Sequence, residues 1–269
     1  MPIRCRIVNM TPVEALIIAI VEGLTEFLPV SSTGHMILAS SCLGLEHDAF
    51  QKSFEISIQL GAILAIAWIY ARRFLRSIEL YKKLLVAFLP TALIGFAAYG
   101  WIKQYLFSPM VVTVSLIAGG IVLLLLDRRV VASRSTIEQL EHIPYRNAFG
   151  IGLVQGISVI PGVSRAAATI IGGVFNGLDR RQATEFSFLL AVPTMFAATG
   201  YDLLRTGMQF SRQELMLLAL GLVASFVFAW IAVKLLLSFV EQHGFAVFGW
   251  YRIALGLLFA LLIQQGIIR

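Results

Sequence analysis

The sequence predicts an all-α integral membrane protein, with six transmembrane helices and two re-entrant helix–loop–helix hairpins arranged as an inverted-topology repeat. Three observations carry that prediction. Of 269 residues, 58% are hydrophobic and 13% charged, whereas a soluble domain has a little under half apolar and about 25% charged. The apolar residues fall in runs near the ~20 residues needed to cross a hydrocarbon core. Two other stretches, Thr11 to Leu43 and Asn147 to Phe175, carry a proline and hydroxyl groups near their middles, and each reads as two half-helices around a loop.

The spans are placed at Phe54 to Tyr70, Leu84 to Ile102, Met110 to Leu126, Glu185 to Leu204, Leu215 to Leu237 and Val247 to Ile267. Glu55 and Glu185 stand at or near span starts, where the interface tolerates a carboxylate. A broken hairpin can enter the bilayer and return to the same side when its free backbone groups face protein or water. With both hairpins re-entrant, one side of the membrane collects Arg72, Arg73, Arg76, Lys82, Lys83, Arg128, Arg129, Arg134, Arg146, Arg180, Arg181 and Lys234. The other collects Arg4, Arg6, Lys52, Lys103, Arg205, Arg212 and Arg269; Arg165 and Arg252 lie within segments and count for neither. Twelve against seven puts the first set in the cytoplasm and both termini outside.

The two halves resemble each other. V-E-G-L-T-E-F-L-P-V-S-S matches V-Q-G-I-S-V-I-P-G-V-S-R with a one-residue offset around the proline. Repeat one covers about 10–127, with its hairpin at 11–43, and repeat two about 147–269, with its hairpin at 147–175. Three spans follow each hairpin, and an odd number forces the copies into opposite orientations, converging near the midplane. Lys and Arg lie in the short connections rather than in a patch interleaved with aromatics, which favours anionic lipid over nucleic acid as partner. Cys5 and Cys42 are too few for a metal–thiolate site or disulfide framework. Arg4 and Arg6 run into Glu14 without an uninterrupted apolar core, so no removable signal peptide is expected.

The chemistry is concentrated in the hairpins, because ionisable groups inside apolar segments mark functional sites. Glu22 and Glu26, spaced i, i+4, share a helix face with Cβ atoms about 5–6 Å apart. Their repulsion calls for a divalent metal, for Arg165, or for one protonated carboxyl; the plainer reading is an acidic pair facing a water-filled vestibule. After Pro29, Ser31, Ser32 and Thr33 start the next half-helix, where free N–H groups attract anions and where serine also serves as an ordinary N-cap. His35 follows Ser32 by three residues; it suits the role of proton acceptor for a serine oriented by Glu26, or a purely structural one. Arg165 at the tip of the second hairpin, with Ser164 beside it and Gly162 allowing close approach, makes a phosphate cradle or a permanent ion pair with Glu22 or Glu26. Gln59 and Glu55 are candidates to support the site residues from behind, or else interhelical hydrogen bonders.

These residues resemble the undecaprenyl-diphosphate phosphatase family, the bacitracin-resistance type of bacterial inner membranes. The resemblance rests on E-G-L-T-E-F-L-P-V-S-S-T-G-H at Glu22 to His35, F-E-I-S-I-Q-L-G-A-I-L-A at Phe54 to Ala65, P-G-V-S-R at Pro161 to Arg165, and F-S-F-L-L-A-V-P-T-M at Phe186 to Met195. It implies hydrolysis of undecaprenyl diphosphate to undecaprenyl phosphate, the peptidoglycan lipid carrier, with a divalent cation, Mg or Ca. It implies Ser32 as nucleophile, His35 and Glu26 as acid/base neighbours, Glu22 and Glu26 as metal-linked carboxylates and Arg165 as the diphosphate clamp. It also implies a site opening to the outer face, with a homodimer left open. The family's usual P-G-x-S-R-S-G-x-T-I is P-G-V-S-R-A-A-A-T-I here, so Ala166 and Ala167 imply altered affinity rather than lost activity. The rival expectation is a transporter or flippase for a polyprenyl phosphate lipid, since broken helices in inverted repeats also build carriers.

Overall fold

The structure, a computed structural model, describes residues 10–45, 49–106, 108–130, 137, 139–206 and 210–268. Arg4, Cys5, Arg6, Arg134 and Arg269, which enter the charge and cysteine readings, lie outside the described residues. Every regular element among the described residues is helical. The first hairpin is α1 (Pro12–Thr25) and α2 (Ser32–Cys42), followed by α3 (Ala49–Ile69), the short α4 (Ala71–Arg76), α5 (Ile78–Tyr105) and α6 (Pro109–Val130). The second is α7 (Tyr145–Gln155), a 3₁₀ turn (Gly156–Val159) and α8 (Arg165–Phe175), followed by α9 (Arg180–Thr206), α10 (Arg212–His243) and α11 (Ala246–Gln264). Local chemistry sets the helix starts. Thr11 Oγ accepts the Glu14 N–H while Glu14 takes the Thr11 N–H, with Pro12 at the first helical position. Ser211 and Glu214 repeat the same capping box on α10.

Among the described residues, five helices are long and apolar enough to cross a membrane: Phe50–Ile69, Ile78–Ala98, Pro109–Arg128, Arg212–His243 and Ala246–Gln264. The chain is a multi-pass membrane protein. The sixth expected span, Glu185 to Leu204, falls in α9, which is long enough at 27 residues but carries Glu185, Ser187, Thr194 and Thr199. The reason is its place in the bundle. α9 packs against α3, α5 and α8, and Phe186, Phe188, Leu189, Leu190 and Ala191 are fully buried, so much of its surface meets protein instead of lipid. Nor do Glu55 and Glu185 stand at helix starts: α3 begins at Ala49 and α9 at Arg180, leaving both carboxylates at least a turn inside.

The hairpins dock crosswise. α1 packs on α10 of the other half, and α7 packs on α5 of the first. A Cβ on Gly23 would meet the Ser225 carbonyl, and one on Gly152 would overlap the Ala87 carbonyl, so both contacts require glycine for backbone approach. α3 meets α9 and α6 meets α11. The largest apolar cluster joins the first loop to the second half: Phe27 and Phe188 meet edge to face with centroids 5.6 Å apart, in a cluster that also holds Ile63, Leu84, Ile151 and Ile170. At the basic end, Arg73 bridges Glu141 and Glu185, and Asp127 pairs with Arg180 at 2.7 Å while accepting the Phe245 N–H.

Candidate functional site

Each hairpin turn ends on a serine that caps the next helix. Ser31 Oγ accepts the Gly34 N–H at 3.4 Å, and Ser164 Oγ accepts the Ala167 N–H at 3.1 Å, each relieving one of the donors a helix start leaves free. Ser31 has φ +72°, the sole non-glycine residue in the left-handed region among the described residues, a conformation that costs about 1–3 kcal/mol and persists where the surroundings impose it. Ser164 Oγ also donates to the Leu28 carbonyl at 3.4 Å, stitching one loop to the other. The first helical residue after each cap is then Ser32 on one side and Arg165 on the other.

Glu26 joins them. Ser32 Oγ donates to its Oε2 at 2.6 Å, and Arg165 Nη2 donates to its Oε1 at 3.3 Å. The pair is nearly enclosed, with side-chain exposures of 12% for Arg165 and 6% for Glu26, where a charge is sustained only by partners. Arg165 is further held by Nη1 donating to the Ser187 carbonyl at 2.9 Å and by the Phe27 ring, whose centroid lies 5.6 Å from the guanidinium carbon. Its buried Nε has no partner.

Glu22 and Gln155 occupy matching places in the two motifs and differ completely in satisfaction. Gln155 is saturated: its Nε2 donates to Thr91 and Thr194, and its Oε1 accepts from Thr169. Glu22 is fully buried and receives no hydrogen bond from an N–H or hydroxyl donor; its carboxyl group meets that of Glu26, and Glu55 and Arg165 also act on it electrostatically.

The remaining predicted residues are distributed around this centre. His35 makes no bond to Ser32 or Glu26; its Nδ1 lies 2.8 Å from the Ser31 carbonyl and its Nε2 2.7 Å from the Tyr251 hydroxyl. The expected Ser32–His35–Glu26 relay is thus replaced by a direct Ser32–Glu26 contact. Thr33 is exposed. Glu55 accepts from Gln51 at 2.9 Å and from Ser40 at 3.5 Å, and Gln59 follows one turn on, half-buried. Ala166 and Ala167 are buried, and the Ala167 N–H is engaged by the Ser164 cap.

Sequence reasoning missed Arg252. Its fully buried guanidinium donates to four carbonyls: Pro29 at 3.3 Å in the first loop, Gly162 at 3.1 Å in the second, and Ser115 and Leu116 at 3.0 and 3.4 Å on α6. Gly119 makes room, since a Cβ there would collide with the guanidinium. Pro29 precedes Val30-Ser31 and Gly162 precedes Val163-Ser164, so one side chain grips corresponding carbonyls of both turns. The signal was available: an arginine inside the apolar run Val247 to Ile267 is as costly as the one at 165.

Whether these residues suit a divalent cation is answered by donor chemistry. Among the described residues no cluster of three His, Cys, Asp or Glu side chains exists, but Glu22 offers two oxygens that receive no such donor, beside Glu26. Hard oxygen donors with one or two carboxylates match a cation that completes its shell from water and phosphate.

Fold and site together define a multi-pass membrane protein whose two helix hairpins bring a hydroxyl, carboxylates and a guanidinium to one buried locus. Residues 15–258 match the family described as bacitracin resistance protein BacA, and the chain belongs to that family. An undecaprenyl-diphosphatase of Aquifex aeolicus (strain VF5) is 50% identical over 252 residues, covering 93% of this chain and 98% of the relative. That of Persephonella marina is 51% identical over 251 residues, with coverage of 93% and 98%. That of Bdellovibrio bacteriovorus is 45% identical over 257 residues, with coverage of 96% and 98%.

Proposed function

We propose that this chain hydrolyses undecaprenyl diphosphate to undecaprenyl phosphate and inorganic phosphate, the activity its relatives' names state. The observation that carries the reading is Glu26, whose two oxygens hold Ser32 and Arg165, one from each hairpin. The Ser32 hydroxyl is aimed at a carboxylate that can take its proton, and the guanidinium beside it suits the terminal phosphate's charge. Ser32 Oγ attacks that phosphorus as its proton passes to Glu26. The P–O bond to the bridging oxygen breaks, and undecaprenyl phosphate leaves; water then hydrolyses the phosphoserine. Glu22 and Glu26 are the residues to hold a divalent cation, Mg or Ca, which supplies neutralisation of the diphosphate charge.

The same reading assigns six spans, with α9 the sixth, and two re-entrant hairpins related by an inverted repeat over about 10–127 and 147–269. The crosswise docking of α1 on α10 and α7 on α5 supports it. The basic connections then lie in the cytoplasm, as in a bacterial inner membrane, and the site opens to the outer face. A polyprenyl tail too apolar to leave the bilayer accounts for a site built there.

The test is phosphate release from undecaprenyl diphosphate by the purified protein in detergent, where no compartments exist. Ser32→Ala and Glu26→Gln are expected to lose about 10³-fold or more in kcat, Arg165→Lys a comparable factor because a point charge cannot replace the planar fork, and chelator is expected to stop turnover. Undiminished hydrolysis by Ser32→Ala would remove the nucleophile assignment. Movement of lipid phosphate across liposomes without hydrolysis would replace the enzyme by a carrier.

A further inference from the structure

Tyr251 stands in the apolar run of α11, adjacent to Arg252, and its hydroxyl meets His35 Nε2 across 216 residues of sequence at 2.7 Å. The two rings stack, with centroids 5.6 Å apart and 4° between their planes. The opposite ring nitrogen, Nδ1, lies 2.8 Å from the Ser31 carbonyl. A carbonyl oxygen can only accept, so Nδ1 carries the proton; in the neutral imidazole Nε2 is then the lone pair, and Tyr251 donates to it. One bond fixes the tautomer, the other occupies the free nitrogen, and the stacking sets the ring plane.

Both anchors of the imidazole belong to strained or pinned backbone. Ser31 is the residue with φ +72°, and the residue after Tyr251 is the arginine that grips the Pro29 and Gly162 carbonyls. The register of α11 is thereby tied to the two loops whose tips carry Ser32 and Arg165. His35 follows Ser32 by one helical turn, so a ring held in one orientation on α2 is held relative to the reacting groups as well.

We infer that Tyr251 is a positioning residue for the diphosphatase reaction: it holds His35 as the single Nδ1–H tautomer, with Nε2 occupied by the phenol, and so fixes the wall of the site beside Ser32. This rests on the function proposed above. Tyr251→Phe retains the ring and the stacking and removes only the hydrogen bond, so it isolates the claim from packing; its melting temperature is measured alongside to confirm the fold.

Two measurements decide it. The first needs no turnover: nitrogen-15 spectra of the His35 ring in the detergent-solubilised full chain, assigned by the signal lost in His35→Gln. The wild type is expected to show one Nδ1–H tautomer, and Tyr251→Phe a shifted Nε2 resonance with a mixed tautomer population. Unchanged His35 resonances in Tyr251→Phe would overturn the inference. The second is the kinetics on undecaprenyl diphosphate. An outer partner of this kind is worth on the order of 10-fold, so Tyr251→Phe is expected to lower kcat by about that factor with KM within about twofold. A shifted tautomer with full kcat would reduce Tyr251 to a structural neighbour and overturn its role in the reaction. Wild-type protein that releases no phosphate at all would instead sink the proposed function, with the His35 spectra still deciding what Tyr251 does to the ring.

Discussion

At the scale of single residues, the contrast between Glu22 and Gln155 separates stability from function. The amide at 155 has all three of its threonine partners, whereas the carboxyl at 22 is buried with no donor and only the Glu26 carboxyl beside it. A buried carboxyl group without a donor, crowded against the like group of Glu26, costs more than an amide at the same place. Glu22→Gln is therefore expected to melt higher than wild type in chelator, by the equivalent of about 1–3 kcal/mol, while losing about 100-fold or more in phosphate release. A variant that is both less stable and fully active would reverse the assignment. Arg252 supplies the complementary case. Lysine keeps the charge but has only three donors for four carbonyls on three segments, so Arg252→Lys leaves at least one buried carbonyl unpaired, at about 1–3 kcal/mol, and is expected to lower melting temperature and kcat together. What could be read from the sequence at this scale was local: the capping serines, the i, i+4 carboxylates and the cost of burying Arg165. Tyr251 facing His35, and Arg252 facing both loops, depend on partners 90 or more residues away, which no spacing rule encodes.

At the scale of elements, the hairpins were legible because proline, hydroxyls and charge interrupt apolar sequence, and all five apolar spans overlap their predicted positions. The sixth predicted segment is a helix, α9, but less apolar than the other five for a physical reason: hydropathy measures affinity for lipid, and α9 is packed within the bundle. Close helix contact is the force most open to test. Gly152→Ala drives a methyl into the Ala87 carbonyl and is expected to destabilise by about 1–3 kcal/mol. Gly200→Ala in α9, where a Cβ meets nothing within 4 Å, is expected to be neutral or to gain up to about 1 kcal/mol from helix propensity. Thermal melts in detergent distinguish them. The basic end adds a pH-dependent clasp. Burial raises the Glu141 carboxyl, but the hydrogen bonds and charge of Arg73 outweigh it and hold it below the usual carboxylate range. A depressed folded value means the stabilisation is complete above the ordinary carboxylate pKa and is lost as pH falls through the folded one. The melting difference between wild type and Glu141→Gln should therefore be constant near neutrality and shrink as the solution is acidified below that range. A difference that grew on acidification would exclude the clasp.

At the scale of the whole molecule, the inverted repeat proposed above would explain why two short motifs of similar sequence end with different residues at the same locus. On that proposal, opposite insertion lets Ser32 from one side and Arg165 from the other meet on Glu26, while each hairpin docks on the second span of the opposite half, α1 on α10 and α7 on α5. Duplicates inserted in parallel would place Ser32 and Arg165 at equivalent, separated positions. The arrangement makes a prediction about sidedness that does not depend on activity. If the first hairpin is re-entrant, Val13 near the start of α1 and native Cys42 at the end of α2, both exposed, lie on the same outer side. With Cys5 replaced by serine, Cys42 is expected to react in intact cells with a membrane-impermeant maleimide, and Val13→Cys, placed in a chain lacking both native cysteines, is expected to do the same. Arg146→Cys and Phe175→Cys, flanking the second hairpin, should react only after the membrane is opened, and Leu75→Cys, in α4 and 87% exposed, should behave like them. Labelling of Val13→Cys and Cys42 from opposite sides would make the first hairpin a full crossing, give the halves the same orientation, and leave the meeting of Ser32 with Arg165 without a topological cause.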